Sequence, residues 1–151
     1  VAEDDDDEAK TLRRIGPDEL STDTAQTAGM RRSEAISGTT CGSRQLWMGE
    51  TRMAPGAQSA NHHHGHSETG IYVSSGHPVF VLLQGSDELR IDTSPGDYVF
   101  VPPFAPHREE NPSLDEEAVV VIARSTQEAI VVNLDGGQAG AAGTLDSPPA
   151  G

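Results

Sequence analysis

Between residues 44 and 134 the apolar runs are short, and turn residues cut each one before it reaches helical length. "RQLWMGETRMA" (44–54), "GIYVS" (70–74), "PVFVLLQ" (78–84), "DELRID" (87–92), "DYVFV" (97–101) and "AVVVIAR" (118–124) are separated by stretches such as "SSGHP", "QGSD", "TSPGD", "PPFA" and "NPSLDE". Further strand candidates lie at 60–64, 106–110 and 129–134. Strands recurring every ~8–12 residues between turn signals specify an all-β sandwich or barrel. No segment repeats, so residues 45–134 read as one copy of one domain. Aromatic residues make up only 4% of the chain, so the core must rest on Val, Ile, Leu and Ala.

The flanks read differently. Residues 1–10 open with "VAEDDDDE", which predicts a disordered, solvated acidic tail. Residues 11–44 are polar and weakly periodic and read as an N-terminal arm lying on the body, with Pro17 placed to open a short helical turn. Residues 135–151, rich in Gly and Ala, read as a flexible tail. The net charge of −14 excludes partners that need a basic surface, so neither nucleic acid nor an anionic membrane is expected. No apolar run approaches the ~20 residues of a membrane span. The single cysteine, Cys41, permits no intramolecular disulfide, which fits a cytoplasmic location.

Chemistry concentrates in "NHHHGHSETGIYV", residues 61–73. Side chains two apart on a strand share a face, so His62, His64 and His66 have one parity and His63 the other. Two imidazoles spaced in this way can grip one ion. The pair is His62 with His64, or else His64 with His66, although Gly65 favours a turn between the latter two. His63 faces away, and His77, between Gly76 and Pro78, reads as a turn residue.

A second stretch, "GDYVFVPPFAPHREEN" (96–111), supplies a distant partner in His107. Together the two stretches resemble the paired signature of the cupin superfamily. Its first motif is G, five residues, HxH, three or four residues, E, six residues, G; here stand Gly56, His62, His64, Glu68 and Gly76. Its second motif is G, five residues, PxG, two residues, H, three residues, N; here stand Gly96, Pro102, His107 and Asn111. Two departures stand out. Phe104 occupies a position where the motif has Gly, which predicts a different turn and an aromatic at the pocket edge. Seven residues instead of six separate Glu68 from Gly76, which predicts a bulge in the strand after Glu68.

The resemblance implies a conical β-barrel of the jelly-roll, double-stranded β-helix type, built from two antiparallel sheets. It implies a divalent transition metal (Fe, Mn, Ni, Cu or Zn) held inside by His62, His64, Glu68 and His107, with Glu68 also able to act as a base. The expected function is a metal-dependent small-molecule enzyme, dioxygenase-like, and the expected partner is a small-molecule ligand. A non-catalytic metal or small-molecule binding module is the first alternative, and a sugar isomerase or epimerase the second. Against the second, the only lysine is Lys10, outside the barrel. Tyr72, Phe80, Leu82, Tyr98, Phe100 and Arg52 are candidate pocket or core residues, and Arg108 and Asn111 candidate supports for His107. Unpaired edge strands and the habit of the family predict a homodimer.

Overall fold

The structure, a computed structural model, describes residues 10–134, so most of the acidic tail and the C-terminal tail lie outside the described residues. Ten strands form the body: β1 (Met30–Ile36), β2 (Trp47–Met53), β3 (His62–His63), β4 (Thr69–Ser75), β5 (Val79–Gln84), β6 (Asp87–Asp92), β7 (Tyr98–Val101), β8 (His107–Glu110), β9 (Ala118–Arg124) and β10 (Val132–Asn133). One short helix, α1 (Gly38–Cys41), follows β1, and Pro17–Glu19 form the expected helical turn near the N-terminus. All strand pairs are antiparallel, in two five-stranded sheets: sheet A runs β1-β2-β9-β4-β7 and sheet B runs β10-β3-β8-β5-β6. This is a jelly roll of two facing sheets, with no closed ring of ladders joining them.

Alternation sets what each sheet turns inward. In β2, Trp47, Gly49, Thr51 and Met53 are buried while Met48, Glu50 and Arg52 are not. The core joins Ile71, Val73, Val101 and Val120 of sheet A to Phe80 of sheet B. One end of the interior is closed by Met30, Met53 and Ala118, each at most 2% exposed. At the same end Asn111 donates to the carbonyls of Met53, Ala54 and Glu116, tying the loop after β8 to β2.

Part of the polar arm is itself a strand. β1 pairs along β2, and it escapes sequence reading because its inward positions include Arg32 and Glu34 beside Met30. Preceding residues then cover its free edge. Ser21 bridges Glu34, and the Gln26 side-chain amide imitates a neighbouring strand, accepting from Arg32 N and donating to Arg32 O. An edge masked in this way cannot template pairing with another chain.

The bulge expected after Glu68 is present: the β4–β9 register shifts between Val73 and Ser75. Gly76 ends the irregularity at φ 80, where a Cβ would lie 2.7 Å from Ala118 Cα. Gly49 is equally constrained, because the Trp47 ring folds across it. A Cβ there would strike the Ser33 carbonyl oxygen and come within 2.7 Å of the ring. Gly49→Ala is therefore expected to lower unfolding stability by about 1–3 kcal/mol, measured by urea denaturation.

Candidate metal centre

The short strands β3 and β8 meet at one point that matters: His62 pairs directly with His107, so both imidazoles leave sheet B on its inner side. His64 follows at the next inward position. The three rings form a tight group, with centroids 4.6 Å apart for His62–His107, 4.8 Å for His62–His64 and 5.1 Å for His64–His107. Each ring is oriented by a backbone carbonyl at Nδ1: Ala60 for His62 at 2.7 Å, Ile130 for His64 at 2.8 Å and Ala105 for His107 at 2.9 Å. Neutral imidazoles that donate from Nδ1 present bare Nε2 lone pairs to one another. His107 Nε2 is buried and has no hydrogen-bond partner among the described residues.

The carboxylate of this group is Glu109. Its Oε1 lies 3.6 Å from His107 Nε2 and 4.0 Å from His62 Nε2, and one donor atom from each of the four residues falls within 4.8 Å of the others. Burial alone would raise the Glu109 carboxyl, but the surrounding histidines, His107 foremost, hold it well below the ordinary carboxylate range. Burial lowers His62, against the pull of Glu109. Burial and then repulsion from His62 push His64 down to about 3. Burial opposes charge on His107 too, yet Glu109 beside it holds His107 above its ordinary value. Two neutral imidazoles, one that readily takes a proton and one firmly ionised carboxylate are what a cation would meet here.

Glu68 stands apart from this group and is corrected as the expected carboxylate. It is exposed, and its backbone is held to Ser125, accepting from Ser125 N and donating to Ser125 Oγ. The reason is parity. Glu68 aligns with Gly70 and Tyr72 on the outer face of sheet A, and the bulge comes only later, at Val73–Ser75. Glu109 was legible in principle: it lies two residues after His107 and so must share its face. Its setting in "HREE", between Arg108 and Glu110, disguised it as part of a solvated charged strand.

The remaining candidates sort cleanly. His66 is exposed, and His63 points away from the cluster, accepting from Gly65 N. His77 contacts the Thr93 carbonyl in its turn. Phe80 is core and Leu82 pairs with His107 on the inner face. Tyr72, Tyr98 and Phe100 are exposed on the outside of sheet A, and Arg52 is held there by Glu50 and Glu117. Arg108 faces outward, paired with Glu88 and Glu110.

With this geometry in view, comparison with known proteins is informative. A family model described as "Cupin domain" matches residues 49–123. No curated protein matches the chain. Among solved structures, the polyketide cyclase RemF from Streptomyces resistomycificus superposes with a TM-score of 0.68 at 18% identity, over 82% of this chain and 86% of that one. An oxalate oxidase in complex with the substrate analogue glycolate gives 0.61 at 20% identity, over 82% of this chain and 61% of that one. KdgF from Halomonas sp. gives 0.58 at 20% identity, over 76% and 94% respectively. At these identities the likeness speaks for the fold.

The turn that delivers His107 carries a local strain. Phe104 has φ 62, a left-handed backbone that favours glycine, so the turn keeps a glycine-type conformation in spite of the aromatic. Its amide donates to Gly65 O at 2.8 Å, joining the two histidine-bearing loops, and its ring is 61% exposed, 5.6 Å from His63. Phe104→Gly is expected to raise unfolding stability by about 0.5–1 kcal/mol in urea titrations, the relief of strain exceeding the added chain entropy.

Proposed function

The chain belongs to the cupin superfamily, and on that footing we propose that it is a metal-dependent enzyme acting on a small molecule, with His62, His64, His107 and Glu109 holding a divalent transition ion. The observation that carries this reading is the shared orientation of the three imidazoles: every Nδ1 is tied to a carbonyl, and the Nε2 atoms converge beside one carboxylate. Nitrogen donors with a single carboxylate suit Fe(II), Mn(II), Ni(II), Cu(II) or Zn(II), and four protein donors leave room for a substrate oxygen.

Bound there, the ion would supply Lewis acidity and, if redox-active, oxygenase-type chemistry. The protein's own groups supply the rest. The three carbonyls keep the imidazoles from rotating, as outer partners of metal-binding histidines do. Glu109, held ionised beside the imidazoles, supplies the negative charge that the ion would meet. Half-buried Val99, Ala105 and Ile122 pack against the apolar core, and Leu82 lies opposite His107.

Protein purified without a histidine tag is expected to contain about one ion per chain by elemental analysis. His107→Ala should lose it, Glu109→Gln should weaken its binding at least about tenfold, and Glu68→Gln should leave it unchanged. Metal retained by His107→Ala would refute the site. Metal-dependent oxygen uptake with flavonols, β-diketones or thiols tests the oxygenase version, and silence with all of them counts against it.

The same reading extends to a homodimer. Among the described residues β7 is an edge of sheet A, and its Tyr98 (80% exposed) and Phe100 (62%) form an aromatic patch with Tyr72 of β4, Tyr72 and Tyr98 being 4.9 Å apart. Light scattering is expected to give the mass of two chains, falling to one in Tyr98→Glu. A wild-type mass of one chain would exclude the dimer.

A further inference from the structure

The hairpin of β5 and β6 carries apolar side chains that the protein does not cover. Its two-residue turn, Gly85 and Ser86, has Gly85 at φ 65 and fixes the register, so Leu82 pairs with Leu89 and Phe80 with Ile91. Along β6, Glu88, Arg90 and Asp92 alternate with Leu89 and Ile91. The charged set faces outward. There Arg108 donates to Glu88 at 2.8 and 3.0 Å and Arg90 donates to Glu110 at 3.1 Å, which pins β6 to β8 across β5. The apolar set therefore lies on the inner face, beside core Phe80.

Burial is inverted at this edge. Val81, on the outer face between Arg90 and Arg108, is 0% exposed, whereas Leu89 and Ile91, on the inner face, are 48% and 39% exposed. A strand that alternates in this way normally hides its apolar side, and both side chains would gain by being covered. Their position says what covers them. Cross-strand pairs run in one line over the inner face of sheet B, from His62 to His107, Leu82 and Leu89. The next line runs from Glu109 to Phe80 and Ile91. The strip thus starts at His107, whose buried Nε2 has no hydrogen-bond partner among the described residues, and ends at the solvent-exposed rim. Facing sheets of a sandwich stand ~10 Å apart, a gap that admits a ring or a hydrocarbon chain but not the surface of another folded chain.

We propose that Leu82, Leu89 and Ile91 form an apolar floor for the body of the substrate, whose oxygen-donor end is turned toward the histidine cluster. Leu89 stands two strands from His107, about 10 Å at the usual strand spacing, which suits a body of roughly two fused rings. The substrate class is an aromatic or branched, largely apolar molecule with an oxygen donor at one end. A compact, wholly polar acid would leave the strip bare. That the strip serves a substrate rests on the metal-dependent reading above; the binding of an apolar body to it does not.

The full chain, chelator-treated and then zinc-loaded, is titrated by calorimetry with acetohydroxamate, benzohydroxamate and 2-naphthohydroxamate. The three share one oxygen-donor head and differ in apolar body. Affinity is expected to rise along the series by about tenfold or more, as the added apolar area is covered. Leu89→Asn and Ile91→Asn, both at exposed positions, should each remove most of that rise without changing the zinc bound per chain. Leu114→Asn, at an apolar residue 94% exposed elsewhere, should leave the whole series unchanged. A rise that both strip variants retain would overturn the proposal. So would a Leu89→Asn chain whose light-scattering mass falls from two chains to one, because a second copy would then be what covers the strip. A zinc-loaded chain that binds all three hydroxamates alike refutes the strip alone. A chain that takes up no zinc refutes the metal reading, and 2-naphthol titrated without metal then decides the strip. Binding that Leu89→Asn weakens about tenfold sustains it, and equal binding or none refutes it.

Discussion

Three hydrogen bonds from imidazole Nδ1 to the carbonyls of Ala60, Ala105 and Ile130 orient the rings of the candidate centre. They set the tautomer of each histidine, and so which nitrogen faces the interior. The carbonyls come from three places in the chain: the approach to β3, the turn before β8, and the segment that crosses from β9 to β10. The three histidines therefore take these positions only when β3 and β8 have paired and the crossing segment has closed over them. Gly65 permits that closure, since a Cβ there would sit 3.0 Å from the Ile130 side chain.

The interior is graded from end to end. Met30, Met53 and Ala118 close one end with apolar surface, and the middle is Val, Ile and Phe80. The histidines, Glu109, Arg32, Glu34 and Arg124 occupy the remainder. Charge in such a place is tolerated when opposite signs lie near one another and solvent reaches part of the surface. The apolar end and core carry the stability that lets the other end keep a polar group with an unmet hydrogen bond, His107 Nε2. That unmet group is where a ligand gains most.

Much of this was readable in advance. Short alternating runs and turn residues placed β4 to β9 within a residue and β2 within three, because alternation and turn chemistry are local properties. The bulge at Val73–Ser75 followed from one extra residue before Gly76. β1 was not readable, because its inward positions Arg32 and Glu34 break the apolar alternation that marks a strand. Glu68 failed for a related reason. A motif spacing counts residues but does not fix parity, and its side chain follows Gly70 and Tyr72 outward.

By itself the sequence determined the fold class and the shared parity of His62 and His64, since strand alternation and turn signals depend only on neighbours along the chain, and the resemblance of its two motifs implied that His107 joins them. The tertiary structure decided which carboxylate joins them and what faces them. Glu109 rather than Glu68 lies beside the imidazoles because β8 pairs with β3 through His62 and His107, a register no local pattern specifies. Arg32 and Arg124 stand on the same face of sheet A because β1 and β9 flank β2 and turn the same face inward. Long-range pairing sets such neighbours, and residues far apart in sequence acquire a common chemistry only once it has formed.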